Sequence, residues 1–86
     1  MVIEKFVSGK VKEIYKRMEE KGRMLPDGVT YVNSWIDSQI SICYQVMESD
    51  SEKKLRDWID LWSDLADFEF FQVITSSQAK EKILSS

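Results

Sequence analysis

No histidine occurs among the 86 residues, and that absence excludes more chemistry than any other feature of the sequence. Serine–histidine and cysteine–histidine nucleophiles, histidine-ligated haem and most zinc sites all need an imidazole. Any chemistry must therefore rest on carboxylates, Lys, Arg, Tyr, Cys or a cofactor, and no particular metal or cofactor is expected. Cysteine is nearly absent too. Cys43 stands alone, cannot form an internal disulfide, and so fits a reducing cytoplasm. No run approaches the roughly 18 apolar residues of a membrane span. The start, Met1-Val2-Ile3-Glu4-Lys5, is broken by charge before a signal-peptide core can form. A cytoplasmic protein away from membranes is the expectation. Clustered positive charge is also missing: the net charge is −3 and the sequence pI about 4.9, which disfavours a phosphate backbone as partner.

What is present is ordinary for a globular chain, 43% hydrophobic and 31% charged. No repeat, linker or low-complexity segment divides it, so residues 1–86 read as one domain. Val2 to Val7 reads as a first strand ended by Ser8-Gly9. Val11, Ile14, Tyr15 and Met18 then repeat at three and four residues, an amphipathic helix with Ser8 as its cap. Gly22 is a stop, and Leu25-Pro26-Asp27-Gly28 has turn chemistry. Val29 to Asp37 and Ile40 to Glu48 read as a hairpin about Ser38-Gln39. Ser49 and Glu52 offer a capping box for a second helix whose stripe is Leu55, Trp58, Ile59, Trp62 and Leu65, ending near Ala66. Phe68 to Thr75 reads as a fourth strand, and the tail from Ser76 to Leu84 as a short, weakly held helix.

The order strand, helix, strand, strand, helix, strand predicts an α+β, ferredoxin-like domain: a four-stranded antiparallel sheet with two helices on one face. The RNA-recognition domain has the same order. It needs a basic residue and aromatics on its third strand, where this chain has Ile40-Ser41-Ile42-Cys43-Tyr44, so that function is rejected. Alternation places Ile40, Ile42, Tyr44 and Val46 under the helices. The same rule leaves Ser41, Cys43, Gln45 and Met47 on the open face, with Tyr31, Asn33, Trp35 and Asp37 of the second strand. The fourth strand reads as apolar on both sides. Such an open face would be a large apolar patch, so a homodimer with a polar-lined cavity between its two sheets is expected.

Three stretches carry a family resemblance. These are Gly22-Arg23-Met24-Leu25-Pro26-Asp27-Gly28; Ser34-Trp35 with Cys43-Tyr44-Gln45-Val46-Met47-Glu48; and Trp58 through Trp62-Ser63-Asp64-Leu65 to Asp67-Phe68-Glu69. The chain resembles the bacterial family of domains of unknown function DUF3303, of the dimeric α+β barrel group, over nearly its whole length. The resemblance implies a ferredoxin-like protomer whose sheet packs on a partner's sheet. It implies no activity.

Arg23, Asn33, Trp35, Cys43, Gln45 and Glu69 are the candidate ligand-binding residues. Arg23 offers a planar fork for a ligand carboxylate or a structural ion pair with Asp64 or Asp67. Those two aspartates sit at a helix C-terminus, where the dipole disfavours anions. Cys43 reads as a small filler of the cavity wall, and Glu4 with Glu69 as a possible cross-strand carboxylate pair. Asp57, Asp60, Asp64 and Asp67 read as an exposed acidic helix face, and Trp58 with Trp62 as core. No catalytic residue is assigned. The expected function is binding of a small, partly apolar molecule in the dimer cavity. The alternative is a cofactor-independent monooxygenase- or isomerase-like enzyme of the same structural group, with Asn33, Trp35 and Gln45 positioning the substrate.

Overall fold

The computed structural model describes residues 1–85. Its elements run β1 (Val2–Phe6), α1 (Val11–Lys21), β2 (Val29–Ile36), β3 (Ile42–Ser49), α2 (Glu52–Asp60), β4 (Ala66–Phe70) and α3 (Ser76–Ser85). The four strands form one open antiparallel sheet in the order β2-β3-β1-β4, the ferredoxin-like arrangement expected from the element order. Among the described residues no helix is long and apolar enough to cross a membrane.

α1 and α2 lie on the same face of the sheet. The buried core joins Val2 and Ala66 of the sheet to Ile14 of α1 and to Trp58, Trp62 and Leu65 of α2 and the turn after it. Trp58 and Trp62 are one helical turn apart, and both indole Nε1 atoms donate to the Arg23 carbonyl, at 2.9 and 3.2 Å. One backbone oxygen in the loop after α1 thus fixes that loop to α2 and satisfies two buried donors. Trp58 also meets Phe68 of β4 edge to face at 6.1 Å.

Glycines place the connections. α1 stops at Gly22, whose φ of 66° suits no side chain well. The following turn closes with Val29 N donating to Pro26 O at 3.1 Å. There Gly28 has φ 89°, and a Cβ would stand 2.8 Å from the Asp50 carboxylate. The β2–β3 connection is held by Asp37, which accepts from Ser41 N at 2.7 Å and Ile42 N at 2.8 Å.

Several expectations need correction. α1 begins after Lys10 with no side-chain cap, so Ser8 caps nothing. α2 is capped by Ser51, which accepts from Lys54 N at 3.1 Å. Ser49 instead braces the cap by donating to Ser51 O. β4 begins at Ala66 and ends at Phe70, two residues earlier at its start and five at its end than predicted. Within it Phe68 and Phe70 face the helices while Asp67 and Glu69 face away, so it is not apolar on both sides. Beyond Phe71 the chain leaves the sheet and carries α3 outward. The radius of gyration is 14.7 Å, against about 12 Å for a compact domain of this length.

The register also inverts β3. Val2 and Glu4 lie under the helices and pair with Gln45 and Cys43. Cys43, Gln45 and Met47 therefore face the helices, and Ile42, Tyr44 and Val46 face away. In β2 a bulge between Tyr31 and Asn33 resets the alternation. Tyr31, Ser34 and Ile36 lie on the helix side, while Asn33 and Trp35 lie on the open side. Alternation read directly from the residues misplaces Tyr31 because it has no signal for the bulge.

Candidate functional site

The six residues singled out from the sequence do not share one face. Asn33, Trp35 and Glu69 are on the open face, where Trp35 pairs with Tyr44 of β3, Tyr44 with Ile3 of β1 and Ile3 with Glu69 of β4. Trp35 is 55% exposed and Tyr44 38%. Lys5 and Asp67, paired one step along, add charge on the β4 side. This face is apolar toward β2 and β3 and charged toward β4. Arg23, Cys43 and Gln45 belong to the other face.

On that helix side a polar strip runs across the sheet. Arg23 stacks its guanidinium on the Tyr31 ring, 3.6 Å from the centroid. Tyr31 Oη and Ser34 Oγ are hydrogen-bonded at 2.6 Å. Ser34 pairs with Gln45 across β2 and β3, and Gln45 Nε2 donates to Glu4 Oε2 at 2.7 Å. The strip is only partly roofed, because Tyr15 of α1 and Ile36 of β2 remain exposed beside it. The sequence pointed to Glu4 with the wrong partner, Glu69 in place of Gln45, and to Tyr31 on the wrong face. A lone carboxylate inside the apolar run Val2-Ile3-Glu4-Lys5-Phe6 was the available signal.

Glu4 is 6% exposed, and burial raises its carboxyl from 4.5 to about 7 despite the hydrogen bond from Gln45. The raised value destabilises the fold as pH increases. Above the unfolded value of 4.5 the unfolded chain ionises while folded Glu4 keeps its proton, so stability falls until about pH 7. A shift of this size is worth roughly 3 kcal/mol. Glu4→Gln should therefore be the more stable protein at neutral pH and lose that advantage at about pH 4.5. Denaturant melts of both across pH check this, and parallel curves would contradict it.

Cys43 is free and buried. Burial, then the nearby Glu4 charge, pushes its thiol up to about 11, the opposite of an activated nucleophile. It should label slowly with a thiol reagent in the native protein and rapidly in denaturant. Fast native labelling would contradict the burial and the raised thiol.

Glu4 and Glu69 do not pair: Glu4 lies opposite Phe68 and Glu69 opposite Ile3, on different faces. Arg23 is likewise not the partner of Asp64. Arg17 takes that place with a bidentate contact at 2.9 and 2.7 Å, which holds the Asp64 carboxyl below its usual range. A wide groove of about 820 Å³ lies between the start of α2 and the outgoing C-terminal arm, with Met47, Leu55, Phe70 and Gln78 in its wall. It contains none of the polar strip's side chains.

The chain matches the family model described as Domain of unknown function (DUF3303) over residues 1–85. No curated protein and no solved structure matches it.

Proposed function

The chain belongs to the DUF3303 family, whose description assigns no activity, and on that premise we propose a homodimeric domain that pairs through its open sheet face and binds a small, partly apolar molecule along the helix-side strip. The observation that carries this reading is the division of labour between faces. The open face presents Trp35, Tyr44, Ile3 and Val46 in adjoining pairs, an apolar surface of the kind that marks association sites. A twofold contact needs only one self-complementary patch, and a stable one buries about 2,000 Å² in total. The charged margin of Lys5, Asp67 and Glu69 suits the rim of such a contact. On the opposite face, Arg23, Ser34, Tyr31, Gln45 and Glu4 offer convergent polar groups beside exposed apolar ones, the composition of a small-molecule site.

Pairing of the open faces leaves the strip accessible in both protomers, so the two parts of the proposal are compatible. Sedimentation equilibrium at micromolar concentration tests the first part: twice the 10.1 kDa chain mass is expected, and a monomer would refute it. One observation favours an enzyme over a binding domain: a buried carboxyl near neutrality, Glu4, is poised for general acid–base work. In that reading a bound substrate is converted, and Glu4→Gln abolishes turnover while retaining binding.

A further inference from the structure

Among the described residues Arg23 is the arginine without an ion-pair partner. Of the three arginines in the sequence, Arg17 is held by Asp64 and Arg56 lies 3.8 Å from Glu52. Among the described residues no carboxylate lies within ion-pair distance of Arg23. Its Nε is buried and makes no hydrogen bond. A buried charged donor without an acceptor is costly, and each case calls for an explanation such as an absent ligand. The guanidinium is not loose, since the Tyr31 ring lies against its face, a contact that leaves the N–H donors along its edge unused. From that edge the strip continues through Ser34 and Gln45 to Glu4.

We infer that this strip is a site for a small organic carboxylate, gripped by the Arg23 guanidinium, with its apolar part against Tyr31 and Ile36, and that the ligand is taken up only while Glu4 carries its proton. The inference rests on the reading above that the helix side is the ligand face, and not on the dimer. A carboxylate, unlike a spherical anion, matches the fork edge with two parallel hydrogen bonds. The same negative charge is repelled by an ionised Glu4 further along the strip. Glu4 faces Cys43 of β3 and Tyr15 of α1, both electrostatically coupled to it. Arg23 acts on Cys43 from the other side. The core residues nearby from α2 and β4, Trp58 and Phe68, do not titrate. Glu4 is therefore the group in the strip whose charge changes near neutrality, and burial supports this by raising its carboxyl to about 7.

The test uses the full chain, ¹⁵N-labelled, titrated with benzoate at constant ionic strength and followed through the arginine Nε–H resonances. Benzoate should move the Arg23 signal and leave those of Arg17 and Arg56 in place. If binding requires protonated Glu4, the dissociation constant should be about tenfold weaker at about pH 8 than at about pH 6. Glu4→Gln should keep the tighter affinity at both. Arg23→Lys retains the backbone carbonyl that holds Trp58 and Trp62 but loses the fork, and should weaken binding at least tenfold at either pH. Inorganic phosphate also fits the fork but has no apolar part to place against Tyr31 and Ile36, and should bind more weakly than benzoate at the same pH.

An unmoved Arg23 resonance at millimolar benzoate would overturn the site, whether or not any variant folds. Equal affinity at the two pH values would overturn the role of Glu4. Phosphate binding as tight as that of benzoate would overturn the assignment to a partly apolar carboxylate. Sedimentation of the same samples separates this from the dimer: a monomer that binds benzoate keeps the site and discards the dimer, and an unresponsive dimer does the reverse.

Discussion

Trp62→Ala should unfold the protein or reduce its stability by about 3–5 kcal/mol, while Asp60→Ala, two residues earlier, should shift it by no more than about 0.5 kcal/mol. Trp62 is 3% exposed and belongs to the core cluster with Val2, Ile14, Trp58, Leu65 and Ala66. Its truncation removes about 200 Å² of buried aromatic surface and leaves a cavity that neighbouring rings cannot fill. It also removes the indole donor to the Arg23 carbonyl and the ring beneath the Arg17 guanidinium, 5.5 Å from its centroid. The carbonyl keeps its bond from Trp58, so a single substitution does not leave it bare, whereas truncating both tryptophans does. Small domains have about 5–15 kcal/mol in total, so the loss takes a large share of it. Thermal melts of the two variants decide the matter, and similar shifts would show that the buried face of α2 is misassigned.

The second large effect is expected at Trp35. A glutamate there places a charge in the middle of the proposed contact, opposite Tyr44, where no cation of its own protomer pairs with it in the sheet. Burying an unpaired carboxylate costs several kcal/mol, and a symmetric contact incurs that twice. Trp35→Glu should therefore raise the dissociation constant of the dimer by several orders of magnitude. The isolated protomer should be affected little, because Trp35 is 55% exposed in it.

Much of this fold was legible in the residues because local and long-range signals agreed. The stripe of Leu55, Trp58, Ile59 and Trp62 fixes α2 and its buried side. Pro26, Asp27 and Gly28 fix the turn before β2. The hairpin followed from two runs of β-formers, although its connection runs from Asp37 to Ser41, with Ile40 at φ 56°. The faces of β3 were not legible. Ile42, Tyr44 and Val46 are the more apolar set, and alternation alone sends them inward. The structure instead buries Cys43 and Gln45 and turns Met47 toward the core, with Gln45 supplying the hydrogen bond that buried Glu4 needs. Burial of a polar pair depends on a partner 41 residues away, which periodicity within a strand cannot register. The bulge at Val32 is similarly silent, since it arises from pairing and not from composition.

The site divided for the same reason. Cys43 and Gln45 were recognised for their chemistry and then placed with Asn33 and Trp35 by an alternation that the register overrules, while the loop residue Arg23 and the strand residue Glu69 had no such signal. The unpaired state of Arg23 was hidden too, because Arg17 and Arg23 are equally available to Asp64 on paper. The helical position of Arg17, whose guanidinium also donates to Leu61 O at 3.0 Å, decides between them.

Neighbouring residues of β2 test the contact between open faces most directly. Trp35 and Ile36 are adjacent in sequence, both exposed in the protomer, and on opposite faces of the sheet. Sedimentation equilibrium of the wild type, Trp35→Glu and Ile36→Glu at one micromolar-range concentration compares the two faces with everything else constant. A dimer is expected for the wild type and for Ile36→Glu, and the 10.1 kDa monomer for Trp35→Glu. A dimer that survives Trp35→Glu but dissociates with Ile36→Glu would place the contact on the helix side and contradict pairing through the open face.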